Sequence, residues 1–378
     1  MVVLRHQRLP AGGKFVPQTE GANVKHLKGV LIGAGFFARF QAEAWKRLEG
    51  RLPSCPEQTG RDSAAGMPPL LAAVADSAPG RAQAFAKEFG VPRFYDSAEE
   101  AVAVENPDFV DIATRPDTHL PLTRLAAGRG IHVICQKPMA PTVSESVAMC
   151  EVCEAAGVRL LIHENWRWQP WYREARRLIV AGDLGTVKRL AFDWRTADGN
   201  GSEPYAAQPY FRQMPRLLIF ESLIHILDTF RFLGGELEVT ACETRKVNPV
   251  IAGEDWAEIH VRFAGGAEGF IHGDRHTGPL PSPVAMGGLV IEGERSTVRV
   301  APDGYVFLSK RGAAEMPLPF EPTAAGYKGD SVFATQQHLI DCLRTHQQAE
   351  SEGRAYLKTI TLVEDCYRLA AQLQDYPA

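Results

Sequence analysis

Three groups of side chains have the types and spacing to do chemistry. The first is Lys137, in Cys135-Gln136-Lys137-Pro138, directly after the apolar run Ile131-His132-Val133-Ile134. A lysine at the carboxyl end of a buried parallel strand stands where α/β sheets hold their ligands. Its ammonium can hydrogen-bond a hydroxyl and stabilise the negative charge that develops as the proton leaves. The second group is Gly33-Ala34-Gly35-Phe36-Phe37-Ala38, between an apolar run and a helical pattern. Gly33 allows a tight turn, Gly35 lets backbone approach a pyrophosphate at a helix N-terminus, and Ala38 lets helix and strand pack closely. The third is Glu221, His225 and Asp228 within the otherwise apolar Leu217–Phe230 segment. On a helix, i, i+4 and i+7 share one face, and burying carboxylates is costly unless they are paired or used. A histidine between two acids can act as a general base. Together the groups point to oxidation of a hydroxyl with a nicotinamide cofactor. A satisfied core network is another reading of the helix. Metal ligation is a third, but it leaves Lys137 redundant, so no metal is expected.

The elements that must position these groups alternate. Leu27–Ile32 reads as a strand, followed by the glycine turn and a helix through Leu48. Leu70–Ala75 reads as a second strand ending at Asp76. A helix over Arg81–Phe89, a strand over Phe109–Ala113 and a helix over Leu120–Ala127 come next. The strand into Gln136-Lys137, a helix over Val143–Ala156 and a strand over Val158–Ile162 complete the series. Short connections between alternating strands and helices predict a doubly wound parallel sheet. After Trp166 the rhythm changes. A helix over Tyr172–Ala181, a strand over Val187–Thr196, the Leu217–Leu233 helix and several further strand-like runs predict an α+β region with an open, mainly antiparallel sheet. Helices over Ser331–Thr345 and Tyr356–Leu373 end the chain. The expected organisation is a flexible tail over 1–26, a cofactor-binding Rossmann domain over 27–163 and a substrate and oligomerisation domain over 164–378. The Arg51–Pro69 segment, rich in Pro, Gly and polar residues, reads as a surface loop.

Asp76 holds the place from which a carboxylate binds the ribose hydroxyls of a dinucleotide. Its charge would repel a 2′-phosphate, so NAD is expected rather than NADP. Thr114-Arg115-Pro116, at the end of the third recognised strand, and His119 just after it are expected near the cofactor, with Gln136 and Lys137.

The bulk numbers exclude several classes. The chain has 378 residues, enough for two domains. A net charge of −4 favours neither nucleic acid nor an anionic membrane. No apolar run reaches membrane-span length, and the first residues lack a signal-peptide pattern. Seven cysteines, an odd number, favour reduced thiols and a cytoplasmic setting. Cys150 and Cys153 form a CxxC, read as two half-buried thiols on a helix.

The motifs resemble the Gfo/Idh/MocA family from about Leu27 onwards. Its glycine turn, Glu-Lys-Pro turn, Asn-x-Arg segment and Asp-x-x-x-His helix correspond here to Gly33–Ala38, Gln136-Lys137-Pro138, Asn165-Trp166-Arg167-Trp168 and Glu221-Ser222-Leu223-Ile224-His225. Gln136 replaces the family's glutamate, and Glu221 its aspartate. The resemblance implies a Rossmann domain, an open-sheet domain that forms dimers or tetramers, and oxidation of a sugar or cyclitol hydroxyl. Lys137 and His225 would stand at the chemistry, with Glu221 or Asp228 orienting His225. Phe36 and Phe37 would contact the cofactor. Asn165, Arg167, Trp168 and Asp228 would shape the sugar pocket. Gly-Phe-Phe-Ala, Cys-Gln-Lys-Pro and His163–Pro170 look most like the family's apiose-oxidising subgroup, which implies a branched or cyclic pentose. An NAD-dependent glycosidase and a non-catalytic NAD and sugar sensor are the alternatives. The sensor should have lost Lys137 or His225.

Overall fold

The computed structural model describes residues 26–49, 70–278 and 286–374. The expected tail over 1–26 falls almost wholly outside the described residues, as does the Arg51–Pro69 loop.

The first sheet is built from β1 (Gly29–Ile32), β2 (Leu71–Ala75), β3 (Arg93–Tyr95), β4 (Phe109–Ile112), β5 (His132–Gln136) and β6 (Leu160–His163). Between them run α1 (Ala38–Glu49), α2 (Arg81–Phe89), α3 (Ala98–Glu105), α4 (His119–Ala127) and α5 (Val143–Ala155). The strand order is β3-β2-β1-β4-β5-β6, every pair parallel. The order reverses between β1 and β4, where a doubly wound sheet opens a crevice at the strands' carboxyl ends. β1, β2, β4 and β6 are buried throughout, which is why they read as continuous apolar runs. β3 and α3 escape such a reading. β3 is three residues long, with two of them exposed at the sheet's edge, so it carries neither an apolar run nor alternation.

The second part contains α6 (Pro170–Val180), β7 (Val187–Arg195), α7 (Ile224–Gly234), β8 (Leu237–Arg245), β9 (Trp256–Phe263), β10 (Glu268–Asp274), β11 (Gly288–Gly293), β12 (Ser296–Val300), β13 (Val306–Lys310), β14 (Met316–Pro317), α8 (Ser331–Thr345) and α9 (Gly353–Gln374). Its eight-stranded sheet has the order β14-β13-β12-β11-β7-β10-β9-β8. All neighbours are antiparallel except β7 and β10. Alternation is clean along β9: Ala257, Ile259, Val261 and Phe263 are buried, while His260 and Arg262 are exposed. One face therefore packs inward and the other is open.

The C-terminal helices tie the two sheets together. Val332, Phe333, Leu339 and Ile340 of α8 share a core with Ala42, Trp45, Ile134 and Leu161 of the first sheet's layer. α9 contacts α5 on one side and β8 on the other. The expected Leu217–Leu233 helix differs in one respect. Leu218–Leu223 is π-helical, and the α-helix begins at Ile224. The wider turn displaces side chains from α-helical register, a device often found at functional sites. Among the described residues no helix is long and apolar enough to cross a membrane.

Candidate active site

The glycine turn sits over the reversal point. The Gly33 N–H donates to Ala75 O at 2.7 Å. Its φ is +105°, and a Cβ there would stand 2.6 Å from Ala113 O. Only glycine satisfies both conditions. A Cβ on Gly35 would meet nothing within 4 Å, so the backbone there faces open space. Asp76 accepts from the N–H of Ala34 and of Ala78, each at 2.8 Å. The carboxylate is thus fixed against the glycine turn. Phe36 is 46% exposed, whereas the Phe37 ring packs edge-on to Tyr327 and His163.

His119 is fully buried. Its Nδ1 lies 3.0 Å from Met139 O and its Nε2 3.2 Å from Thr114 O. It ties the exit of β4, with Thr114 and Pro116, to the turn that follows Lys137. The Lys137–Pro138 peptide is cis.

Lys137 and His225 each have a carboxylate, but not the same one. Lys137 Nζ donates to Glu221 Oε1 at 2.8 Å and to Glu221 O at 2.7 Å. His225 Nδ1 pairs instead with Glu164 Oε1 at 2.6 Å. The expectation that Glu221 or Asp228 orients His225 is therefore corrected. The π-helical turn carries Glu221 away from the His225 face and onto Lys137. Asp228 is bound by Arg167 through Nε and Nη2, at 2.8 and 2.6 Å.

Glu164 is the functional residue that the motifs did not single out. It follows β6 directly and is fully buried. The Trp166 N–H donates to its Oε1 at 3.0 Å, and the Tyr356 hydroxyl to its Oε2 at 2.8 Å. Burial alone would raise this carboxyl. The positive character of His225 and these three donors outweigh burial and hold it down to about 2. Burial lowers the pKa of His225 from its ordinary value, Glu164 opposes that, and Lys137 reinforces it. At neutral pH the imidazole is therefore uncharged, with its Nδ1–H donating to Glu164. Among the described residues nothing bonds Nε2, whose lone pair is left to accept a proton. Trp166 stacks on the imidazole at 4.9 Å and 16°, fixing its plane.

The four residues expected to shape a sugar pocket all make contacts within the frame. Besides holding Asp228, Arg167 donates to Glu350 O at 3.0 Å. Asp228 also accepts from Thr359 Oγ1 at 3.1 Å. Asn165 donates to Ser331 Oγ at 2.8 Å, anchoring the start of α8. The Trp168 ring lies against His338 and under the Arg173 guanidinium. Tyr327, which no motif marked, packs its ring on Phe37 and Phe40. Burial and the charge of Glu221 push its phenol up to about 12.

These residues fit a dinucleotide. Asp76 would take the ribose hydroxyls and the open Gly33–Gly35 backbone the pyrophosphate. Among the described residues no group of three or more His, Cys, Asp or Glu side chains is placed to hold a metal.

Comparison with known proteins gives the same class. Residues 27–164 match the model of the oxidoreductase family with an NAD-binding Rossmann fold, and residues 172–298 match the Gfo/Idh/MocA C-terminal domain. A D-apiose dehydrogenase of Paraburkholderia graminis is 34% identical over 358 residues, covering 92% of this chain and 89% of that protein. A D-apiose dehydrogenase of Rhizobium rhizogenes is 33% identical, covering 92% and 96%. Among solved structures, an oxidoreductase from Agrobacterium radiobacter in complex with NAD+, L-tartaric acid and magnesium superposes with a TM-score of 0.79 at 31% identity. The match covers 92% of this chain and 97% of that one. The chain belongs to the Gfo/Idh/MocA family of NAD-dependent oxidoreductases.

Proposed function

We propose that the protein is an NAD-dependent dehydrogenase that oxidises a hydroxyl of a branched or cyclic pentose such as apiose. The observation that carries this reading is that His225 Nδ1 is clamped on Glu164 at 2.6 Å while Lys137, at the end of β5, is aimed by Glu221 at 2.8 Å. The similarity to two D-apiose dehydrogenases over nine-tenths of the chain supports the substrate class.

The residues divide the work as follows. His225 Nε2 takes the hydroxyl proton as general base. The imidazolium that forms is stabilised by Glu164, 2.6 Å from Nδ1, itself held by Tyr356 and the Trp166 N–H. Lys137 stabilises the negative charge developing on the substrate oxygen. It has one N–H left after its two bonds to Glu221, which fixes the direction of the ammonium. Bound NAD supplies the hydride acceptor at nicotinamide C4. The substrate carbon loses a hydride and its oxygen a proton, leaving a carbonyl. Asp76 disfavours a 2′-phosphate and so favours NAD over NADP. In this reading residues 27–163 bind the cofactor, and 164–378 supply the base, the substrate contacts and the pairing surface.

The open face of the second sheet is the surface for a homodimer or homotetramer. Along β7, β9 and β10 it presents Arg189, Arg195, Glu258, Arg262, Phe270 and His272. Light scattering tests this, and a strictly monomeric protein would refute it. The six described cysteines are free thiols, which supports a cytoplasmic setting.

A panel of apiose, xylose, hexoses and inositols with NAD, followed by NADH absorbance, tests the function. NADH formation with a branched pentose at the highest kcat/KM is expected. Higher kcat/KM with an inositol or hexose would overturn the pentose assignment. Sugar release from glycosides without NADH would show a redox-neutral glycosidase instead.

A further inference from the structure

The π turn over Leu218–Leu223 begins without a capping side chain of its own. A helix leaves its first four N–H groups without intrahelical partners. Leu217 stands where Ser, Thr, Asp or Asn would normally cap them, and no side-chain cap bond forms there. All four groups are taken instead by two residues distant in sequence. Glu254 accepts from the Leu217 N–H through Oε2 at 3.2 Å and from the Ile219 N–H through Oε1 at 3.0 Å. Its backbone carbonyl accepts from the Leu218 N–H at 3.2 Å. The Tyr367 hydroxyl of α9 accepts from the Phe220 N–H at 3.2 Å and donates to Glu254 Oε1 at 2.5 Å. The next N–H, that of Glu221, turns back to Leu217 O at 2.8 Å. Gly253 makes this close approach possible, since a Cβ there would stand 2.6 Å from Met214 O and 3.1 Å from the Leu217 nitrogen. Glu254 is buried. A buried carboxylate is costly unless it is bonded, and both of its oxygens are bonded to this turn.

Glu221, the residue that aims Lys137, directly follows the last clamped residue. Lys137 Nζ bonds the backbone carbonyl of Glu221 as well as Oε1, at 2.7 and 2.8 Å. The ammonium therefore follows the path of the backbone at Glu221, not only the rotamer of its side chain. We infer that Glu254 is a positioning residue for the reaction: with Tyr367 it fixes the entry of the π turn, and so holds Glu221, and through it Lys137, in place. The inference rests on the dehydrogenase reading and does not depend on which sugar is oxidised. A side chain that merely stabilised the fold would change the amount of folded protein. This one acts on kcat, and does so through Glu221.

A double-mutant cycle on kcat, read as NADH formation with the sugar that wild type oxidises best, tests it. Glu254→Gln keeps the side chain's shape, but an amide nitrogen cannot accept, so one side of the clamp opens. A misplacement of about 1 Å can cost about 100-fold in rate, and a fall in kcat of about 10- to 100-fold is expected. The dissociation constant for NAD, read by quenching of tryptophan fluorescence, should stay as in wild type. Glu221→Ala should also lower kcat. Added to Glu221→Ala, Glu254→Gln should lower kcat by no more than about twofold further, because the residue through which it acts is already gone. Tyr367→Phe opens only the Phe220 end. It should lower kcat by a smaller factor with the same dependence on Glu221, and it decides the matter if the Glu254→Gln protein does not fold. The inference is overturned if Glu254→Gln turns over as wild type does, or if it costs the same factor with and without Glu221. Wild-type kcat in Glu221→Ala would overturn it too. A wild type that oxidises no sugar would defeat the dehydrogenase reading and this inference with it. An active wild type with independent losses would defeat the inference alone.

Discussion

Arg167–Asp228 and Lys137–Glu221 are both cation–carboxylate pairs with closest contacts of 2.6 and 2.8 Å, yet they do opposite things. In the first, the cation's three donating nitrogens are spent on Asp228 and Glu350 O, and Asp228 takes a further bond from Thr359. These bonds fix the guanidinium in one orientation, with two of its five N–H groups left over, and Asp228 is fully buried. In the second, the lysine keeps a proton to offer, and its side chain and its partner's are 9% and 14% exposed at the crevice. His225 repeats the pattern with one nitrogen clamped and the other unspent. Residue type alone does not separate frame from site. The difference lies in the carboxylate: the Asp228 side chain is sealed, whereas that of Glu221 is 14% exposed.

The largest effect should come from removing that lysine proton and that unspent nitrogen. Lys137→Ala and His225→Ala should each lower kcat by about 10²–10⁴, the usual worth of a positioned acid–base or charge-stabilising group. NAD should still bind, as fluorescence titration would show. Near-normal turnover in either variant would move that residue from the site to the frame. The frame pair should fail differently. Asp228→Ala leaves the Arg167 guanidinium buried without its partner, and breaking such a pair typically costs about 3–5 kcal/mol. Chemical denaturation should register that loss, while kcat per folded molecule changes little. If Asp228→Ala instead abolished turnover at full stability, the closed pair would belong to the chemistry.

The two halves of the chain were unequally legible in the sequence. Strands buried on both faces announce themselves as apolar runs, and β1, β2, β4, β5 and β6 were all readable. In the second half the strands showed only as short strand-like runs, since a sheet with one open face buries every other residue. The edge strand β3 was hidden because exposed residues carry no pattern. Within the site, Lys137 was legible since a strand and a proline fix where it stands, and His225 since it interrupts an apolar helix. Its partner was not. Assigning Glu221 to His225 assumed α-helical spacing, and the π turn over Leu218–Leu223 breaks that spacing without any glycine or proline to mark it. Glu164 looked like a polar residue leaving a strand. Only the fold, which brings β6, α7 and α9 together, shows that Glu164, His225 and Tyr356 meet. Asn165, Arg167 and Trp168 were legible as a motif, but a motif does not reveal which way its side chains are spent.

The smallest of the three effects belongs to Glu164, and it separates positioning from chemistry. Glu164→Gln keeps the side chain's shape and can still accept one hydrogen bond, but it removes the charge that stabilises imidazolium. A fall in kcat of about 100-fold is expected, at the low end for loss of acid–base function. Loss of packing could mimic that fall, so the pH profile carries the decision. His225 works as a base only when unprotonated, so activity is lost as pH falls through its pKa. That acidic limb in wild type should lie below the ordinary 6.5, since burial and Lys137 together lower the imidazole's pKa. The Glu164 charge opposes that lowering. Removing it must lower the pKa further, and the limb of kcat/KM should move to lower pH. A purely structural carboxylate would reduce the amount of active protein and leave the limb in place. A limb that moved to higher pH would show that Glu164 does not act on His225 through its charge.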